Sequence, residues 1–372
     1  MTDADFPDPI LTERRIVFDY GYWMNCDCGY RSYLSPVDYM TGANGSHMAC
    51  QHCTAVIHFG PAVAAIRDRD DPALVDEVVS TLAWYHTSTS ADWPSPEFVA
   101  RFEEELSWIE RDFGPNREQF VADHTAKALH VGTYETAVEN MLRRMTYQGD
   151  GGSDFYLYRV ALRLDPRRIN PGYRDENYEI AADISVGELD SDDLDAVRYL
   201  NVHEALGALS LAVRPSAIAA VQCIRIPIEG HAVAMDPSAL SPQTDALRSA
   251  TNTLIKAETA ASTLDRRDLR MMQLGGRPDP TGLARSLGKS QNRLYESWHE
   301  LEQRLEELCL PNVSVVVRHD FSDAMAHWRA EHPQQSVPDF ISRYRSVAAL
   351  LEHSAEATQA IISQPWRPVG AA

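Results

Sequence analysis

The chain has 372 residues, 44% hydrophobic and 24% charged, a composition that fills two or three packed domains and excludes a disordered polypeptide. Its net charge of −20 sits almost wholly at the front: residues 241–372 hold 15 basic against 16 acidic side chains, leaving 19 against 38 in residues 1–240. Such a front repels phosphate backbones and argues against broad nucleic-acid binding. With no run of eighteen apolar residues and no basic-then-apolar leader, a cytoplasmic chain with no membrane partner is expected.

The first 66 residues carry two close cysteine pairs, Cys26 with Cys28 and Cys50 with Cys53, separated by 21 residues. Zinc takes four tetrahedral sulfur or nitrogen ligands, and two such pairs on adjacent turns supply them. Strand-like alternation over 15–20 and 55–60 flanks the pairs, so a zinc ribbon is expected over 10–66. The first pair has one intervening residue where ribbons more often have two, which leaves His47, His52 and His58 as alternatives to one thiolate. Four protein ligands leave no open position, so the Zn2+ is structural. Cys223 lies in an apolar run and reads as a buried, inert thiol.

Further along, 72–82 reads as helix, 84–89 as strand, and 97–111 as a helix opened by Ser95-Pro96. A strand over 127–133 runs into a helix over 134–145, a glycine-rich loop covers 148–153, and 155–164 alternates as a half-buried strand. Ser191-Asp192-Asp193 caps a short helix, and strands over 208–213 and 217–228 are joined by Arg214-Pro215-Ser216. The fold class is α+β, with a mixed domain over 75–235. From 241 the pattern is helical: 244–272, 281–309, a brief strand over 313–318, then two helices, the last over 339–363, forming a helix-rich unit at 241–372.

Three motifs carry candidate chemistry: Trp84-Tyr85-His86-Thr87-Ser88, Leu129-His130-Val131-Gly132-Thr133-Tyr134, and the stretch from Tyr199 through Glu204 to Ser210 before a strand. In order and spacing they resemble the ADP-ribosyltransferase superfamily, including its poly(ADP-ribose) polymerase and RNA 2′-phosphotransferase branches, over about 84–228. The resemblance implies a split-sheet domain that uses NAD as substrate and passes ADP-ribose to a macromolecular acceptor, protein or nucleic acid, in an effector or toxin-like role. It assigns His86 to the ribose hydroxyls and the backbone at Thr87 to the nicotinamide carboxamide, with Ser88 and Gly132 also among the NAD-binding residues. His130 takes the second-strand position, with Tyr134 as second candidate, and Gly132 lets the strand turn into the helix. At the third position, where the transferase branch has glutamate, the chain has Ala208 or Leu209, and Glu204 lies a few residues earlier.

Breaking the nicotinamide–ribose bond builds positive charge on the ribose, which a positioned carboxylate such as Glu204 can stabilise. Neutral imidazoles suit hydroxyls, because each can donate and accept. RNA 2′-phosphate transfer to NAD and a non-catalytic zinc-ribbon adaptor are the competing expectations.

Overall fold

The computed structural model describes residues 8–59, 64–95 and 126–369. The chain forms two compact units, one of Met1–His231, Asn312–Pro333 and His353–Ala372, the other of Ala232–Pro311 and Gln334–Glu352. The expected α+β architecture is present, with an N-terminal cysteine cluster, a mixed β-sheet core and a helix-rich C-terminal stretch. Helices after residue 241 divide between the two units.

The first unit begins with two hairpins: β1 (Tyr22–Asn25) with β2 (Arg31–Leu34), and β3 (His47–Ala49) with β4 (Val56–His58), with α1 (Pro36–Thr41) between. The strand expected over 15–20 is instead irregular chain that buries Phe18 and Tyr20, and the first hairpin starts at Tyr22. The ribbon segment is bonded into the rest of this unit: Asn177 contacts the backbone of Ala64, Arg67 N–H donates to Gly207, and Val17 N–H donates to Glu135.

Two four-stranded sheets make the body of the unit. The strands are β5 (Trp84–Ser88), β6 (Leu129–Val131), β7 (Phe155–Leu162), β8 (Arg174–Asp175), β9 (Ala196–Leu200), β10 (Leu209–Val213), β11 (Ile218–Ile226) and β12 (Arg367–Pro368). Their orders are β6-β10-β9-β8 and β12-β11-β7-β5. Side chains alternate across a strand, so β10 sends Leu209, Leu211 and Val213 into a core shared with Trp84, Tyr158, Val160 and Val221 of the other sheet. Ala212 faces the opposite side with Val197 and Tyr199. The terminal strands β5 and β6 meet where Tyr85 and Gly132 exchange two backbone hydrogen bonds, both 2.9 Å.

From β6 the chain turns directly into α2 (Tyr134–Tyr147), because Thr133 Oγ1 accepts the Thr136 N–H at 3.1 Å and caps the first turn. Nine of its fourteen residues are buried, so α2 is an interior helix, packed on β5 and on α7 (Val315–Glu331). Residues 313–318 were expected as strand from their valines; the buried set Val317, Phe321, Ala324, Met325 and Trp328 follows the helical period, and packing on α2 overrides β propensity.

The short helix α3 (Val186–Ser191) ends at Ser191-Asp192-Asp193, and its cap is Ser185, which accepts from Glu188 N–H. Stretch 72–82 contains only the short turns Pro72–Leu74 and Asp76–Val79. The helix expected over 97–111 lies outside the described residues.

The second unit holds α4 (Ser241–Ala261), α5 (Arg266–Gln273), α6 (Leu283–Cys309) and α8 (Val337–Glu352). The helix expected over 244–272 is interrupted because Asp265 caps a new one, accepting from Arg267 and Asp268 N–H. α6 packs on α4, α5 and α8, burying Leu301, Leu305 and Cys309, with Trp298 edge-on to Phe340. The final expected helix is two, α8 and α9 (Ser354–Ile362), and α9 belongs to the first unit, against β7 and β11.

Candidate functional site

The hairpin turns bring Cys26, Cys28, Cys50 and Cys53 together, with all four Sγ atoms within 4.8 Å of one another. Each turn is set by local backbone bonds: Cys26 N–H to Tyr30 and Gly29 N–H to Cys26 in the first, Cys50 N–H to Ala55 and Thr54 N–H to Cys50 in the second. Gly29 adopts φ +81°, which glycine tolerates without strain.

Sγ separations are 3.6 Å for Cys26–Cys53 and 3.8 Å for Cys28–Cys50. A disulfide requires about 2.05 Å. A tetrahedron of sulfurs about 2.3 Å from a central zinc has edges of about 3.8 Å, so the donor set fits a four-coordinate metal ion. Backbone N–H groups of Cys53 and His52 hold the Cys50 thiol down at about 6, while desolvation and the neighbouring thiols push Cys26 up to about 12 and Cys28 upward. The histidine alternatives stand elsewhere: His47 faces His58 across β3–β4, and His52 stacks on Tyr30.

The second polar cluster lies where β5, β6 and α2 converge. His86, Thr87, His130, Gly132, Thr136, Asn140, Tyr199, Asn201, Glu204 and Ser210 are among the residues lining a pocket of about 80 Å3. Ligand clefts usually run to roughly 300–1,000 Å3, so the enclosed space matches a fragment of a ligand.

His86 Nδ1 lies 2.9 Å from the His130 carbonyl. A carbonyl only accepts, so Nδ1 carries the proton and Nε2 is left with its lone pair. The ring also stacks on Trp93, 4.1 Å between centroids. His130 Nδ1 is 3.0 Å from the Tyr199 hydroxyl, while its Nε2 is buried with no hydrogen-bond partner. Burial, reinforced by Arg144, pushes His86 down to about 3, and burial with Lys127 pushes His130 down to about 4. Both rings are neutral near neutral pH and act as hydrogen-bonding groups.

Glu204 is buried and accepts from Arg143 Nη1 and, at 3.2 Å, from Asn140 Nδ2. Its backbone N–H, like that of His203, donates to Asn201 Oδ1, which shapes the loop. Gly132 is required for space and not for an unusual φ: a Cβ there would meet Thr136 Cγ2 at 2.7 Å and Ser210 Oγ at 2.9 Å. Thr87 lines the pocket, but its hydroxyl donates to the Ala137 carbonyl.

Two candidates are placed elsewhere. Ser88 Oγ accepts from Ser90 N–H, and Tyr134 packs edge-on against Tyr85 and Phe18; neither lines the pocket. Tyr134 points away because the first turn of α2 puts position 134 on the face toward the ribbon segment, while 136, 137 and 140 face the pocket.

Sequence reasoning placed Tyr199 and Asn201 in the third motif without giving them a role, and passed over Asn140 and Glu139. No sequence signal sets Asn140 apart, since α2 also carries the polar residues Glu135, Thr136 and Glu139. Glu139 is buried, accepting from the Tyr20 hydroxyl and, at 2.6 Å, from Ala205 N–H, and burial pushes its carboxyl up to about 7. Ala205 sits at φ +47°, a conformation that costs a non-glycine residue roughly 1–2 kcal/mol, and the Glu139 bond holds it there, fixing the loop that presents Glu204.

Compared with known protein families, with curated proteins and with solved structures, the chain matches none of them.

Proposed function

We propose that the chain is an NAD-dependent ADP-ribosyltransferase whose cysteine cluster holds one structural zinc ion. The observation that carries this is the convergence of His86, His130 and Glu204, remote in sequence, on one pocket at the meeting point of the two sheets. His86 Nε2 accepts from a ribose hydroxyl, and the unpartnered His130 Nε2 meets a polar group of the nicotinamide ribosyl portion. Cleavage sends the electron pair of the C1′–N bond to the nicotinamide ring, which becomes neutral. The cation left on the ribose is stabilised by the buried Glu204 carboxylate until the acceptor attacks C1′ and releases its proton. The acceptor is a protein or nucleic acid, with the adjoining zinc segment as a docking element.

One feature favours a second, non-catalytic reading: Glu204 is already held by Arg143 and Asn140, which lessens its effect on a passing cation. Incubation with adenylate-labelled NAD, alone and with lysate treated by nuclease or protease, separates the two. Nicotinamide release with label on a macromolecule is expected from the wild type, and a loss of about 100-fold or more from His86→Gln. No release by the wild type in any mixture would sink the enzymatic reading.

A further inference from the structure

A second cleft of the same unit, about 500 Å3, lies between residues 12–20, residues 67–82 and a wall that includes Thr133, Glu135, Gly207 and Ala208. It shares no lining residue with the histidine pocket. Arg14 and Arg67 line it, and Nη1 and Nη2 of Arg14 and Nη1 of Arg67 are buried without a hydrogen-bond partner. Buried guanidinium N–H groups left without acceptors are costly, and an acceptor from a ligand would remove that cost.

Both guanidinium groups are fixed in advance. Arg14 Cζ is 4.3 Å from the centre of the Trp84 ring and Arg67 Cζ is 4.0 Å from that of Tyr20. Cation–π packing of this kind restrains the side chain while leaving edge N–H groups for an oxyanion.

Glu13 and Glu135 are engaged elsewhere by hydrogen bonds, while Asp71 forms a long ion pair with Arg14. Glu13 accepts from Arg159 Nε and the Tyr85 hydroxyl, both at 2.6 Å. Glu135 accepts from Val17 N–H at 2.8 Å. Asp71 accepts from Ala73 N–H and stands 3.8 Å from Arg14 Nη1, beyond hydrogen-bond reach.

We infer that this cleft binds a small phosphate-class anion through Arg14 and Arg67. Two guanidinium forks match a group with several acceptor oxygens. A nucleic-acid backbone is the poorer match, because its successive phosphates would meet a chain of net charge −20, nearly all of it in residues 1–240.

The test is calorimetric titration of the full chain with inorganic phosphate, pyrophosphate and ADP at low ionic strength, together with arginine side-chain 15N spectra. One saturable site is expected, with the Arg14 and Arg67 signals shifting together. Arg14→Gln and Arg67→Gln should each weaken binding by about tenfold or more, and His86→Gln should leave it unchanged. Pyrophosphate and ADP binding more tightly than phosphate identifies a nucleotide diphosphate as the source; equal binding identifies free phosphate. Absence of saturable heat, or arginine signals that stay in place at saturation, would overturn the proposal. The spectra are of the wild type, so they decide the matter even where Arg14→Gln, stacked on Trp84, does not fold.

Discussion

The cysteine cluster and the histidine pocket lie in one compact unit and gather polar side chains by opposite means. Each thiol pair comes from a single turn whose backbone bonds run between near neighbours, and the two turns meet around four sulfurs. In the pocket, His86 and His130 stand 44 positions apart, and Glu204 arrives on a loop braced by Glu139 from α2. A site of local turns would depend on the metal ion that its donor set fits. A site of distant segments depends on the sheets and the buried polar bonds that hold its loops.

Metal removal probes this difference most strongly. Binding of a structural zinc is worth roughly 10–16 kcal/mol at neutral pH and is coupled to folding. Chelation or Cys50→Ser should therefore lower the denaturant midpoint by the largest margin, with metal content falling from one equivalent to none. An unchanged midpoint after verified metal loss would mean that the cluster is not a fold-holding centre.

Next comes the brace beneath the pocket. Glu139→Ala leaves the Tyr20 hydroxyl and the Ala205 N–H buried without their acceptor. At about 1–3 kcal/mol for each unsatisfied group, urea unfolding should register a loss of about 2–6 kcal/mol. A loss under roughly half a kcal/mol would show that the loop at Ala205 stands without this carboxyl.

Smaller effects of opposite sign follow from pH. His86 and His130 titrate at about 3 and 4 when folded, against about 6.5 when unfolded, so their stabilising contribution is complete above 6.5 and is lost as pH falls toward 4 and 3. Burial raises Glu139 to about 7 and Asp320 to about 6, so their contribution is complete below the unfolded carboxyl range and is lost as pH rises through 6 and 7. Midpoints measured against pH should lose part of their acid-side fall in a His86→Gln, His130→Gln variant and part of their neutral-side fall in Glu139→Gln. If both variants kept the wild-type profile, His86, His130 and Glu139 would not be buried as described.

The smallest effect is expected at His52, which stacks on Tyr30 outside the sulfur cluster. His52→Ala should retain one equivalent of metal; a loss of metal would restore histidine to the ligand set.

Particular residues divide what was legible in the sequence from what was not. Spacing alone selects the four cysteines, since members of each pair two or three positions apart cannot separate far whatever the fold. The strand at Trp84, the passage from 129–131 into α2 and the α+β class follow likewise from short-range periodicity, whereas His86 and His130 are singled out by the resemblance of the motifs that hold them. Periodicity identifies a face without naming what covers it. Only tertiary contacts turned 315–317 into helix, split the last helix at His353, set Tyr134 among Phe18 and Tyr85, and joined Glu204 to Arg143 and Asn140. The same holds for Glu139, an ordinary helical glutamate in sequence, whose altered proton affinity arises from the burial that the surrounding segments impose.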